Sequence, residues 1–289
     1  MKKISLLIFK ILRFTDKIFN FLTKRSFLIW FSDFVNDEFY ISINICNKET
    51  TFFSPNQIIN WRVKTFFTKE PETLEWIDGF SSNEKIIFWD IGANIGLYSI
   101  YAARKHKNIQ VTSFEPSTSN LRVLSRNISV NALYDKININ QIPLSDMKNA
   151  NLKMYESQFT EGWSMNTFGY PSDYEGKEFS SKQTYSIFGT TIDFIIDNKI
   201  AELPNYIKID VDGIEHLILK GGLKYLKNEN IKSLSIELNE KYKEQFDKVI
   251  EIMSQNNFKI KHKKHADIFN KHQKFSNFFN YIFEKKNEI

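Results

Sequence analysis

The segment Ile86-Ile87-Phe88-Trp89-Asp90-Ile91 runs without a break into Gly92-Ala93-Asn94-Ile95-Gly96. A continuous apolar run of this length suits a strand buried on both faces, as in the middle of a parallel sheet. The glycine loop that follows opens a helix, expected from about Gly96 to Lys105. Strands that alternate with helices imply an α/β, doubly wound sheet.

The rest of the chain keeps that alternation. Strands are expected at Gln110–Phe114, Ile137–Ile142, Tyr206–Asp210 and Ile231–Glu237, with Phe258–His262 and Tyr281–Phe283 as a closing pair. Helices are expected at Leu121–Val130, near Glu215–Leu226 and at Lys243–Asn256. Upstream, Phe31–Phe53 reads as short strands, Asn56–Phe67 as a helix, and a further helix starts near Pro71 and ends around Gly79. Asn149–Phe188, rich in Ser, Gly and aromatics, reads as one long irregular region on the substrate side, because such loops in compact domains usually carry function. The expected division is an N-terminal extension over 1–64 and a catalytic domain over 65–289.

Composition narrows the function. The 289 residues are 42% hydrophobic and 25% charged, which is enough to bury a core. The single cysteine, Cys46, excludes an internal disulfide framework and a cysteine-rich zinc site. Thirty-nine basic and 34 acidic residues leave +5, too mild a balance to argue for nucleic acid.

Met1–Trp30 is apolar and basic, with apolar residues mostly three or four apart and Lys2, Lys3, Lys10, Arg13, Lys17, Lys24 and Arg25 between them. Its longest uncharged run, Ile4–Phe9, falls far short of the roughly 20 residues that span a bilayer. The expectation is a basic amphipathic helix. Packing on the adjoining domain is the preferred account, since apolar faces usually serve cores; contact of residues 1–25 with an anionic membrane face is the other. The expected location is the cytoplasm, with peripheral membrane contact under the second account.

Gly92 permits a tight turn, Gly96 a close approach, and the helix start offers free amides. The second strand ends in Glu115, about 20 residues on, where a carboxylate accepts hydrogen bonds from ribose hydroxyls. Together these mark a nucleoside site. A dinucleotide site needs bare backbone where Asn94 stands, and Asp90 would repel a pyrophosphate but attract a sulfonium or an ammonium group. S-adenosylmethionine is therefore favoured over NAD. The phosphate-loop pattern of nucleoside triphosphatases is missing from the sequence.

Several stretches resemble the FkbM-type S-adenosylmethionine-dependent methyltransferases: Trp89–Ser99, Phe114-Glu115-Pro116, Pro143-Leu144-Ser145-Asp146, Lys208-Ile209-Asp210-Val211-Asp212-Gly213-Ile214-Glu215 and Ile236-Glu237. The likeness runs from about Thr65 to Phe283. Thr68-Lys69-Glu70-Pro71-Glu72-Thr73-Leu74-Glu75-Trp76 is similar to a segment of some members. The resemblance implies a seven-stranded, Rossmann-like class I methyltransferase fold and O-methylation of a sugar, glycan or related small-molecule hydroxyl. It implies that Asp90, Gly92, Asn94 and Gly96 face the methionine part of the cofactor, that Glu115 binds the ribose, and that Ser145 and Asp146 lie near the adenine. At Asp212 members often carry Glu.

The second constellation holds Asp210, Asp212 and Glu215 within six residues, flanked by Lys208 and His216. Carboxylates so close need a positive charge among them. Lys208 is one source; a divalent ion such as Mg²⁺ on Asp210, Glu237 and Asn239 is another. Asp210 is the expected base or metal ligand, with Lys208 and Asp212 beside it; Glu215 is expected to cap the next helix and His216 to pack. Trp163, Tyr170, Tyr174 and Tyr185 suit stacking on a sugar, or packing of the loop on the sheet edge. An inactive nucleoside-binding module and an enzyme acting on nitrogen or nucleic acid are the competing readings. Asp-Val-Asp-Gly in place of a base-stacking Pro-Pro-Tyr motif speaks against nucleic acid.

Overall fold

The structure, a computed structural model, describes residues 1–81, 83–265 and 276–286. Two helices open the chain, α1 (Lys2–Thr23) and α2 (Phe27–Glu38), followed by a hairpin of β1 (Tyr40–Ile45) and β2 (Lys48–Phe53). Three short helices follow: α3 (Gln57–Lys64), α4 (Phe66–Lys69) and α5 (Pro71–Asp78). Next come β3 (Ile86–Ile91), α6 (Leu97–Lys105), β4 (Ile109–Phe114), α7 (Thr118–Val130) and β5 (Ile137–Asn140). A small antiparallel sheet is made of β6 (Ala150–Glu156), β7 (Asn166–Phe168) and β8 (Gln183–Gly189). The chain then forms α8 (Ile192–Asp197), β9 (Tyr206–Ile209), α9 (Glu215–Lys220), α10 (Leu223–Leu226), β10 (Ser233–Asn239), α11 (Lys243–Gln255), β11 (Phe258–Lys264) and β12 (Phe278–Lys285).

The main sheet has seven strands in the order β11-β12-β10-β9-β3-β4-β5. β10, β9, β3, β4 and β5 pair in parallel, while β12 is antiparallel to both its neighbours. This is the expected class I methyltransferase sheet. Chain order reverses at β3, whose partners β4 and β9 lie on opposite sides; such a switch point leaves a crevice at the carboxyl ends of the strands.

β3 is buried along its whole length, and alternate residues feed two cores. Phe88 packs with α5, α6 and α7 on one face; Ile87, Trp89 and Ile91 pack with α8 to α11 on the other. That period of two puts Asp90 on the α6 side.

Four expectations change. Phe31–Glu38 is helical, not a strand, as part of α2: Asp16 accepts from the Phe27 and Leu28 amides and caps that helix across the turn. Asn149–Phe188 is not irregular throughout but contains the β7-β6-β8 sheet, because Ala150–Glu156 pairs along its whole length with Gln183–Gly189. The expected division at residue 65 is not a break in packing, since Ile45, Phe52, Phe53, Ile59 and Val63 share a core with Phe88 and Val111. The preferred account of the N-terminal helix also fails, because α1 buries no residue. The stretches 266–275 and 287–289 of the expected catalytic domain lie outside the described residues.

Candidate active site

At the carboxyl ends of β3, β4, β9 and β10 lies a cleft with about 860 Å³ of space, counting the part open to solvent. Gly92, Asn94 and Glu115 line one side, and Asp210, Asp212 and Glu237 another. Ile142, Pro143 and Leu144 add an apolar wall, and Met154, Trp163, Asn166 and Phe168 bring the small sheet against it.

Gly92 has φ of +82°, and a Cβ there would stand 1.9 Å from the Asp210 carbonyl oxygen. The glycine therefore lets β3 and β9 close at their ends. Asn94 also adopts a left-handed conformation, with φ of 51°. Its amide donates to Glu115 Oε2 at 2.7 Å, and the Ser117 amide donates to Oε1 at 2.8 Å. Glu115 thus ties the loop after β3 to the loop after β4, while an ionised carboxylate has lone pairs left for a ligand. Burial pushes its carboxyl up to about 8, against the pull of those two amides. Asn94 donates through Nδ2 to the Trp163 carbonyl at 3.1 Å, but its Oδ1 is buried with no partner. An unmet acceptor in a cleft is a place for a donor such as a ligand ammonium group.

Other residues expected at the cofactor do not line the cleft. Asp90 is fully buried, and its Oδ2 accepts from Ser99 Oγ at 2.6 Å, beneath α6. Burial raises its carboxyl, while Lys208 and the Ser99 bond oppose the rise. Gly96 makes room for α7, since a Cβ would meet Leu124 Cδ1 at 2.5 Å. Ser145 is buried, its Oγ accepting from the Met147 amide at 3.1 Å. Asp146 pairs with Lys220 at 2.8 Å. Their neighbours Ile142 to Leu144 reach the cleft instead, because the chain turns away after Leu144 to pair with the Thr190 segment.

On the far side, Lys208 Nζ stands 2.7 Å from Asp210 Oδ2 and 4.9 Å from the centre of the Tyr98 ring. Tyr98 Oη donates to Glu70 Oε2 at 2.7 Å, and Glu70 pairs with Lys69. Burial alone would raise Asp210, yet Lys208 and Lys69 outweigh it and hold the carboxyl below the usual range. Asp212 differs. Burial and then the Asp210 charge push it up to about 6, although the Met165 amide donates to its Oδ2 at 2.6 Å. Glu237 lies well above the usual range, through burial and then the charges of Asp210 and Glu70.

The positive charge these carboxylates need comes from side chains. Lys208, Lys69 and Arg62 all lie among them, and Arg62 is fixed by donating through Nε to the Gly162 carbonyl at 2.7 Å. Of the alternative Mg²⁺ set, Asp210 and Glu237 line the cleft and Asn239 does not. Asn239 turns its amide to the Tyr174 carbonyl and the Lys241 amide, and among the described residues no group of three His, Cys, Asp or Glu is arranged to hold a metal. Glu215 accepts from the Val211 and Gly213 amides, which fixes the loop before α9 as expected of a cap. His216 is half-buried, edge-on to Tyr242.

Of the four expected stacking aromatics, Trp163 lines the cleft. Tyr170 is exposed, Tyr174 is buried against Phe278, and Tyr185 donates to Glu156 at 2.9 Å. Arg62 and Asn120 are lining residues that sequence reasoning missed. Lys69 and Glu70 carried a signal, the Thr68–Trp76 likeness, but their place beside Asp210 was not legible from it.

Residues 90–260 match the family model described as the methyltransferase FkbM domain. Methyltransferase sdnD of Sordaria araneosa is 39% identical over 69 residues, which cover 24% of this chain and 26% of that protein. The match therefore spans about a quarter of that relative. The solved structure of methyltransferase FkbM from Methylobacillus flagellatus KT aligns with 16% identity and a TM-score of 0.49, over 78% of this chain and 52% of that one. A ribosomal protein L11 methylase from Lactobacillus delbrueckii subsp. bulgaricus aligns with 10% identity and a TM-score of 0.44, over 75% of this chain and 79% of that one.

Proposed function

The chain belongs to the FkbM methyltransferase family, and from that premise we propose that it moves a methyl group from S-adenosylmethionine to a hydroxyl of a sugar or glycan. One observation carries this reading: a cleft at the switch point has Asn94 and Glu115 on one wall and two carboxylates of different acidity, Asp210 and Asp212, on the other.

The donor supplies a methyl carbon made electrophilic by a sulfonium. Glu115 would hold the ribose hydroxyls, the unmet Asn94 Oδ1 the methionine ammonium group, and Ile142 to Leu144 the base.

The acceptor must be aligned and deprotonated. Asp210, kept ionised by Lys208, accepts a hydrogen bond from the hydroxyl and orients it. Asp212, poised near 6, takes the proton as the oxygen gains the methyl group; a base is most effective when its pKa lies near the working pH. Two carboxylates driven apart by their surroundings divide such roles. Trp163 offers an aromatic face to a sugar ring.

The test is donor consumption across sugar nucleotides, glycolipids and glycans, followed by a pH profile on the best acceptor. Asp212 must be ionised to act, so kcat/KM should rise through about pH 6 and then level. Asp212→Asn should cost about 100-fold or more in turnover and keep affinity for S-adenosylhomocysteine. Full turnover in that variant, or no consumption with any acceptor, would refute the proposal.

A further inference from the structure

The first helix has an organisation that the methyl-transfer reading leaves unused. Ile4, Leu7, Ile11, Phe14, Ile18 and Phe21 follow one another at alternating steps of three and four, which aligns them on one face. Lys3, Lys10, Lys17 and Lys24 recur every seven residues and form a basic stripe beside that face. None of it is covered: Ile11 is 56% exposed, Phe14 66% and Phe21 76%. The second helix extends the apolar surface with exposed Ile29, Trp30 and Phe34.

Charge decides what fits. Seven Lys and Arg in the first 25 residues face one acidic residue, Asp16. Asp16 is already committed, since both its oxygens accept from Ser26 Oγ, at 3.0 and 2.9 Å, and Oδ1 accepts from the Phe27 and Leu28 amides. It joins the two helices into a hairpin, helped by an edge-to-face contact of Phe19 with Phe27 at 5.9 Å. A second copy of α1 would bring no carboxylate to the lysine stripe. An anionic surface would, and long lysine side chains keep their charge at headgroup level while their stems cover apolar ground. The carboxylates of α2, Asp33, Asp37 and Glu38, lie in its second half, where the chain returns to the domain and Asp37 approaches Arg126 at 3.9 Å. Among the described residues no helix is long and apolar enough to cross a membrane.

We propose that α1, with the start of α2, is a docking element for an anionic lipid bilayer. It lies in the plane of the headgroups with the Ile4–Phe21 face inserted and the Lys3–Lys24 stripe on the phosphates.

The experiment is sedimentation of the full chain with vesicles of phosphatidylcholine alone, or mixed with phosphatidylglycerol, at low and high salt. The chain should pellet with the mixed vesicles at low salt and be released by salt. Lys10→Glu/Lys17→Glu/Lys24→Glu should weaken partitioning at least about tenfold. Phe14→Ser/Ile18→Ser should also weaken it. These side chains are exposed, so unchanged affinity for S-adenosylhomocysteine reports an intact fold. Three results each overturn the proposal: no pelleting at low salt, equal pelleting of the charge-reversal variant, or no vesicle binding by a chain that is a dimer in solution and that Phe14→Ser/Ile18→Ser makes monomeric. The last would make a second copy the occupant.

Discussion

Lys208 Nζ sits 2.7 Å from Asp210 Oδ2, with the lysine side chain 2% exposed and the aspartate 25%. Two residues apart on β9 and its end, they point to the same side of the sheet, and the ammonium is shared with the field of Asp90 below it. Lys208 supplies one of the positive charges that offset Asp210; Lys69 and Arg62 supply the others.

Removing Lys208 takes away the ion-pair partner of Asp210 and leaves Lys69 and Arg62 as the remaining cations near it. Lys208→Met should cost about 3 kcal/mol of stability by urea unfolding. Lys208→Met/Asp210→Asn should recover part of that loss, because the uncompensated charge is gone. Wild-type stability in the single variant would show that the pair contributes nothing. Asp210→Asn alone should keep S-adenosylhomocysteine affinity and lose most turnover, measured by calorimetry and a labelled-methyl assay.

Glu115 gives a pH signature. Its carboxyl is pushed up to about 8 in the folded chain by burial, against 4.5 for an ordinary glutamate. Between those values the folded state binds the proton that the unfolded state has lost, so this group's contribution to stability falls as pH rises from about 4.5 to 8. Glu115→Gln lacks that slope. The difference between wild type and variant should move against the wild type across this window, by on the order of 3–5 kcal/mol, and be flat above it. Parallel stability curves would contradict the buried placement. Above about pH 8, where the wild-type carboxylate is ionised, the same variant should bind S-adenosylhomocysteine more weakly, by about 1.5–3 kcal/mol, through loss of charged ribose contacts.

The two loop glycines should separate in a melting experiment. Both have positive φ, +82° at Gly92 and +86° at Gly96, so an alanine is strained at either. At Gly92 the added carbon meets backbone, the Asp210 carbonyl, which cannot move without parting β3 from β9. At Gly96 it meets the end of the Leu124 side chain, which can turn. Gly92→Ala should cost about 3 kcal/mol or more, and Gly96→Ala clearly less. The reverse order would place the tight approach elsewhere.

Much of this molecule was legible from local pattern. An apolar run ending in glycines is a strand and a turn wherever it occurs, because backbone sterics and burial act over a few residues. The order of such units constrains the sheet, and strand ends collect at one edge; hence Gly92, Asn94, Glu115, Asp210 and Asp212 meet at the cleft as expected. Tertiary structure decided the rest. Asp90 lies on a strand whose alternation turns it under α6 instead of into the cleft. Arg62 and Lys69 reach Asp210 from helices some 140 residues earlier in the chain, a proximity set by packing alone. The sheet within Asn149–Phe188 forms through pairing between residues far apart in the chain, from Glu156 with Gln183 to Ala150 with Gly189, which no short window reports. The same limit applies to α1: its sequence fixes an amphipathic helix, but whether the domain has an apolar surface left to receive that face depends on everything else that folds against it.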